Sequence, residues 1–137
     1  MWAHYAQNHQ GICLGWEGAS VRRGMFPVRY DERLFDMTPF LTEYATSGQL
    51  NNMTNVVAAL HKSPEWKYER EWRMVIPFGT TKQPWQVGIP SPSVIYLGAC
   101  MERDTETRVR DIGERIGAKM YKMRLRKDAF GLDADEI

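Results

Sequence analysis

Trp2, Tyr5, Ala6 and His9 recur at the i, i+3, i+4 and i+7 offsets of one helical stripe, which predicts a short helix over residues 2–9, closed by Gly11. His4 and Asn8 share a different face of it. Ile12, Leu14 and Trp16 then alternate with Gly11, Cys13 and Gly15, the period of a strand whose second face is small enough for another backbone to lie against it. Residues 18–24 read as a turn and 26–30 as a second short strand, with Pro27 favouring an edge. Thr38 before Pro39 predicts a capped helix start, and Ser47-Gly48 its stop. Another helix begins at Asn51 or Asn52, carries Met53, Val56, Val57 and Leu60 on its apolar stripe, and ends before Pro64. A single turn over 63–67 leads into a strand over 68–77 and a weaker one over 85–88. The continuous apolar run Val94–Leu97 predicts a strand covered on both faces. Asp104 is placed to cap a helix that turns Val109, Ile112, Gly113 and Ile116 to the core and stops at Gly117. Finally, Tyr121, Met123 and Leu125 alternate with Lys122, Arg124 and Arg126, giving one apolar and one basic face. Helices interleaved with strands predict an α+β fold: a single domain over 1–137, with a mixed sheet of about five or six short strands and three to four helices.

Composition narrows the function classes. A chain of 137 residues fits one domain, and 43% hydrophobic with 26% charged residues is a globular balance. The net charge of +1 excludes a globally basic nucleic-acid binder. No run approaches the ~18 apolar residues of a membrane span, and the first residues lack a secretory pattern, so the expected location is cytoplasmic and no membrane partner is expected. Cys13 and Cys100 lie far apart and outside any C-x-x-C pair, which predicts free buried thiols and no metal site. Phosphate-loop, dinucleotide-fold, zincin and serine-hydrolase signatures are all missing. Five Trp, six Tyr, five Phe and eight Met fill a core or make an adhesive surface.

Two stretches carry a family resemblance. The first is Met1-Trp2-Ala3-His4-Tyr5-Ala6-Gln7-Asn8-His9-Gln10-Gly11-Ile12-Cys13-Leu14-Gly15; the second is Lys62-Ser63-Pro64-Glu65-Trp66-Lys67-Tyr68-Glu69-Arg70-Glu71-Trp72-Arg73. They resemble the uncharacterised bacterial and phage family of domain of unknown function 2971, with its W-x-H-Y-A-x-x-H-x-G-x-C and K-x-x-x-W-x-Y-E-x-E-W-R patterns. Val94-Ile95-Tyr96-Leu97-Gly98 is similar to its hydrophobic strand ending in glycine. Members usually carry a further N-terminal portion with an Asn-Asp-Pro stretch, whereas this sequence starts at the Trp-x-His-Tyr segment. The family has no established activity; its phage and mobile-element settings imply a small phage, mobile-element or bacterial conflict protein.

On a strand over 68–77 the pleat sets Glu69, Glu71 and Arg73 on one face, and Tyr68, Arg70, Trp72 and Met74 on the other. If the acidic face looks into a cleft, Arg73 holds one carboxylate ionised while the other is raised, as acid/base or sugar-binding chemistry requires. The plainer reading is a solvated face, or a Glu71–Arg73 ion pair that secures the strand. With His4 and Tyr5 nearby, the residue types resemble those of ADP-ribosyltransferases, where a His and an aromatic hold the dinucleotide and a strand Glu engages the ribose. On this expectation Glu71 and His4 are catalytic, Tyr5, Glu69 and Arg73 bind a nucleotide-like small molecule, and NAD is the cofactor such chemistry takes. His4 and His9, five apart on a helix, diverge by about 140° and make a poor metal pair. His9 is expected to face the core with a ring nitrogen bonded to backbone. The Trp residues are expected in core or rim. Lys119, Lys122, Arg124, Arg126 and Lys127 read as protection of an edge strand, with a weaker case for a nucleic-acid contact at Lys122, Arg124 and Arg126 that the acidic end, 133–136, would oppose. The rival expectation is a non-enzymatic interaction protein that binds a protein partner and inhibits a host defence complex, in the manner of an anti-CRISPR.

Overall fold

The computed structural model describes residues 2–18, 22–49, 51–76 and 88–137. Their elements run in chain order as α1 (Trp2–Tyr5), β1 (Ile12–Gly15), β2 (Met25–Pro27), β3 (Arg29–Tyr30), α2 (Thr38–Ser47), α3 (Asn52–Ala59), β4 (His61–Lys62), a 3-10 helix (Pro64–Glu69), β5 (Trp72–Met74), β6 (Val94–Leu97), α4 (Arg103–Ile116), β7 (Lys119–Leu125) and β8 (Leu132–Glu136). The class is α+β. The described strands number eight instead of five or six, because the expected 26–30 strand is two short pieces and both His61–Lys62 and the acidic end form strands that were not expected. They lie in one four-stranded and two two-stranded sheets. Contacts divide the chain into two compact units, Met1–Val21 with Gly88–Ile137, and Arg22–Val87.

The first unit is built on the mixed sheet β1-β6-β7-β8. The apolar run of β6 pairs on both sides, antiparallel to β1 and parallel to β7. Ile95 and Leu97 are buried with Met101 and Met120, and Val109 and Ala118 pack against them. Helix α4 crosses at buried Gly113, where an added Cβ would come within 2.3 Å of the Met120 sulfur. Two parts of its expected core stripe are corrected: Ile112 and Ile116 are exposed, leaving Val109 and Gly113 as the inward positions. Asp104 is likewise not the cap. Glu102 is, in extended conformation with no side-chain bond, and Asp104 and Glu106 sit in the first turn, where the helix dipole favours acids. Gly117 ends α4 in left-handed geometry, as its sequence position implied.

Strand β7 is an interior strand, because the 133–136 segment folds back antiparallel as β8 with Lys122 opposite Asp135 and Arg124 opposite Asp133. The edge-strand reading of the basic row is therefore overturned. Among the described residues, three of its five charges are met by acids: Arg124 pairs with Asp135 at 3.0 Å, Arg126 with Asp133 at 3.5 Å, and Lys122 with Glu106 of α4 at 2.5 Å.

The opening helix is shorter than its stripe implied. It stops at Tyr5, and Gln7, Asn8 and His9 follow with φ of 47°, 53° and 67°. This left-handed run still delivers His9 to Trp2, ring over ring at 6.3 Å. It also presses the His9 carbonyl onto the end of β6, where it accepts the Cys100 N–H at 2.8 Å. A Cβ on Gly98 would lie 2.1 Å from that oxygen, so only glycine fits there. Among the described residues His9 Nδ1 has no hydrogen-bond partner, contrary to the expected backbone bond. Cys100 is exposed and Cys13 half-buried, so neither is the fully buried thiol expected.

In the second unit β2 pairs antiparallel with β5, and β3 pairs parallel with β4. Between the two sheets, Val28 is buried and donates its N–H to the Glu71 carbonyl at 2.9 Å. Helix α2 starts at Thr38, but Thr38 is not its own cap: Asp36 accepts the Thr38 N–H at 2.9 Å, and hydrogen bonding from the Thr38 side chain, then from its backbone, lowers the Asp36 pKa. Gly48 closes α2 in left-handed geometry. Asn51 caps α3 by accepting the Met53 N–H at 2.9 Å. The buried positions of α3 are Thr54 and Val56, whereas Met53 and Val57 of the expected stripe are exposed. The chain leaves α3 at Ala59, ahead of Pro64, and enters β4. The expected strand over 85–88, apart from Gly88, and residues 19–21 of the expected turn lie outside the described residues.

Candidate functional site

The second motif folds differently from a plain strand. Ser63 is extended, as the residue before a proline must be, and Pro64 opens a 3-10 helix that runs to Glu69. Arg70 closes it with φ 49°, and the strand occupies only Trp72–Met74. The expected alternation of Glu69, Glu71 and Arg73 along one pleat is thus corrected: Glu69 ends a helix, Glu71 precedes the strand, and only Arg73 lies in it. The left-handed turn at Arg70 nevertheless brings the three together.

They meet around Lys62. Its Nζ donates to Glu69 Oε2 and, at 3.0 Å, to Glu71 Oε2. Arg73 grips Glu71 from the other side, with Nε to Oε1 at 2.6 Å and Nη2 to Oε2 at 3.1 Å, while its Nη1 donates to the Ala59 carbonyl at 2.5 Å. The Glu71 backbone N–H donates to the Tyr30 hydroxyl at 2.9 Å. The Lys62 ammonium lies 4.9 Å from the Trp66 ring centroid. Side-chain exposures of 13% for Glu69, 19% for Lys62, 27% for Glu71 and 32% for Arg73 place the cluster at a partly open surface.

Electrostatics follow from that geometry. The Arg73 guanidinium and, with it, the Lys62 ammonium hold Glu71 down to about 2 against the upward pull of burial. Glu69 and Glu71 in turn push Lys62 up, and Glu71 pushes Arg73 up. Glu71 is therefore a standing carboxylate at neutral pH, without a proton to give. The arrangement can offer anionic acceptors to hydroxyls and spare ammonium and guanidinium N–H groups to an anion.

Sequence reasoning named Glu69, Glu71 and Arg73 but missed Lys62 and Tyr30. Lys62 was visible as the first residue of the second motif; Tyr30, forty-one residues from Glu71, left no local signal. His4 and Tyr5 belong to α1 of the other unit, and both are exposed. Among the described residues no three His, Cys, Asp or Glu side chains gather as a metal ion would require. None of the described helices is long and apolar enough to cross a membrane.

The fold is α+β, and the residues that marked the second motif converge on one charged cluster. The chain belongs to the family described as protein of unknown function (DUF2971), whose model matches residues 1–74. That span contains both quoted motifs; the strand Val94–Leu97 and Gly98 lie beyond it. No curated protein and no solved structure matches the chain.

Proposed function

We propose that the Lys62–Glu69–Glu71–Arg73 cluster binds a nucleotide-like ligand, its carboxylates accepting ribose hydroxyls and its cations facing phosphate. The observation that supports this most is the convergence of Lys62, Glu69, Glu71 and Arg73 at a partly open surface, which sets anionic acceptors beside cationic donors. In a catalytic form of the reading, ADP-ribosyl transfer from NAD, nicotinamide leaves with the electron pair of its bond to the sugar and an acceptor attacks the same carbon, losing its proton to water. Glu71 would then act as a standing anion beside the cationic carbon and not as an acid. The context is that of a small phage, mobile-element or bacterial conflict protein.

A second reading is a non-enzymatic inhibitor of a host defence complex. It is supported by three apolar side chains exposed close together in sequence, Tyr68 at 59%, Trp72 at 46% and Met74 at 45%, which suit a protein contact. Calorimetric titration with ADP-ribose and NAD separates the two. Binding that weakens at least about tenfold in Glu71→Gln, with the variant still folded, supports the ligand reading. Equal affinity in wild type and Glu71→Gln, or none in either, refutes it and leaves the inhibitor reading.

A further inference from the structure

Lys62 bonds both Glu69 and Glu71 through its ammonium, and strand pairing in β4 holds its backbone. It lies in β4 directly opposite Tyr30 of β3, and Tyr30 in turn receives the Glu71 N–H. Its ammonium is backed by the Trp66 ring, four residues ahead, which the turn into the 3-10 helix at Pro64 brings beside it. The Lys-x-x-x-Trp and Glu-x-Glu spacings of the second motif are thereby accounted for as one object: an ammonium, the aromatic face behind it and two carboxylates in front.

We propose that Lys62 is the positioning residue of the site, joining the Glu69 and Glu71 carboxylates so that they present a paired acceptor to a vicinal diol such as a ribose. This rests on the ligand reading above. Arg73 keeps Glu71 in place against β5 and the Ala59 carbonyl and acts on Glu69 through charge, whereas Lys62 bonds both carboxylates directly. Lys62 from β4, Arg73 from β5 and Tyr30 from β3 face the pair.

The test uses the full chain as wild type, Lys62→Met and Lys62→Arg, with ADP-ribose as the probe between about pH 4.5 and 8, beside a carbon-detected titration of the glutamate carboxyls without ligand. Lys62→Met is expected to weaken binding at least about tenfold at neutral pH, to raise the Glu71 midpoint, and to lose affinity on the acid side where wild type holds it. Lys62→Arg is expected to restore binding to within about threefold, since it keeps the charge. A purely structural lysine would lower the melting temperature and leave the ADP-ribose affinity of the folded fraction, and its pH profile, unmoved, and that result overturns the proposal. If wild type binds no ADP-ribose, the ligand reading falls, while an unshifted carboxyl midpoint in Lys62→Met separately rejects the joining role. Should Lys62→Met fail to fold, Lys62→Gln takes its place, and a Glu71 midpoint equal to wild type in it is equally contradictory.

Discussion

Glu71 carries more of the second unit than its place before a three-residue strand suggests. It bonds Lys62, Arg73 and Tyr30 through side chain and backbone, and its carbonyl receives Val28. Glu71→Gln leaves two cations without their anion in a partly screened setting, so a loss of about 1–2 kcal/mol is expected in chemical denaturation. The pH dependence has a definite sign. Folding lowers the Glu71 pKa from 4.5 to about 2, so its contribution is complete above about pH 4.5 and disappears as the pH falls toward 2. Glu71→Gln should flatten that stretch of the stability curve; an unchanged acid limb would remove Glu71 from the account. The residue types of this cluster were legible in the sequence, and so was a Glu71–Arg73 pair. Lys62 was visible in the motif but its partnership was not, because a pleat argument looks only along one strand, whereas the bond crosses from the strand that precedes Pro64.

At the level of elements, the stops were read more securely than the lengths. Gly48 and Gly117 both end helices with φ of 69°, a backbone constraint that a single residue announces. The 2–9 stripe overshot, since Trp2 and His9 do share a contact, yet they reach it through three left-handed residues and not through two helical turns. Periodicity cannot tell these apart. The close approach that this run creates gives a contrast between two glycines. Gly98→Ala drives a Cβ into the His9 backbone oxygen and is expected to cost about 3 kcal/mol, whereas Gly113→Ala displaces the buried but flexible Met120 side chain, partly offset by helix propensity, and should cost less, about 1 kcal/mol. Thermal melts of both variants check this, and equal losses would contradict the packing described.

On the scale of the whole molecule, the balance of charge is settled inside the fold. The acidic end that the sequence set against the basic row is the neighbouring strand of the same sheet, and Arg124 and Arg126 spend their charge on Asp133 and Asp135. The pairing is a hairpin across 126–131, but three acids in the five residues of β8 are of types depleted in strands, which is why 121–126 read as an exposed edge. Replacing Asp133 and Asp135 by Asn should lower stability only slightly, because these pairs are exposed, and should shift elution from a heparin column to higher salt; unchanged elution would mean the acids do not mask the row. The central claim, that the Lys62–Glu69–Glu71–Arg73 cluster takes up a ribose-bearing ligand, is met most directly by calorimetric titration of ADP-ribose into wild type and Glu71→Gln at neutral pH. The account predicts saturable one-to-one binding by wild type and at least about a tenfold loss in the folded variant. Absence of heat with wild type, or identical isotherms for the two proteins, would contradict it.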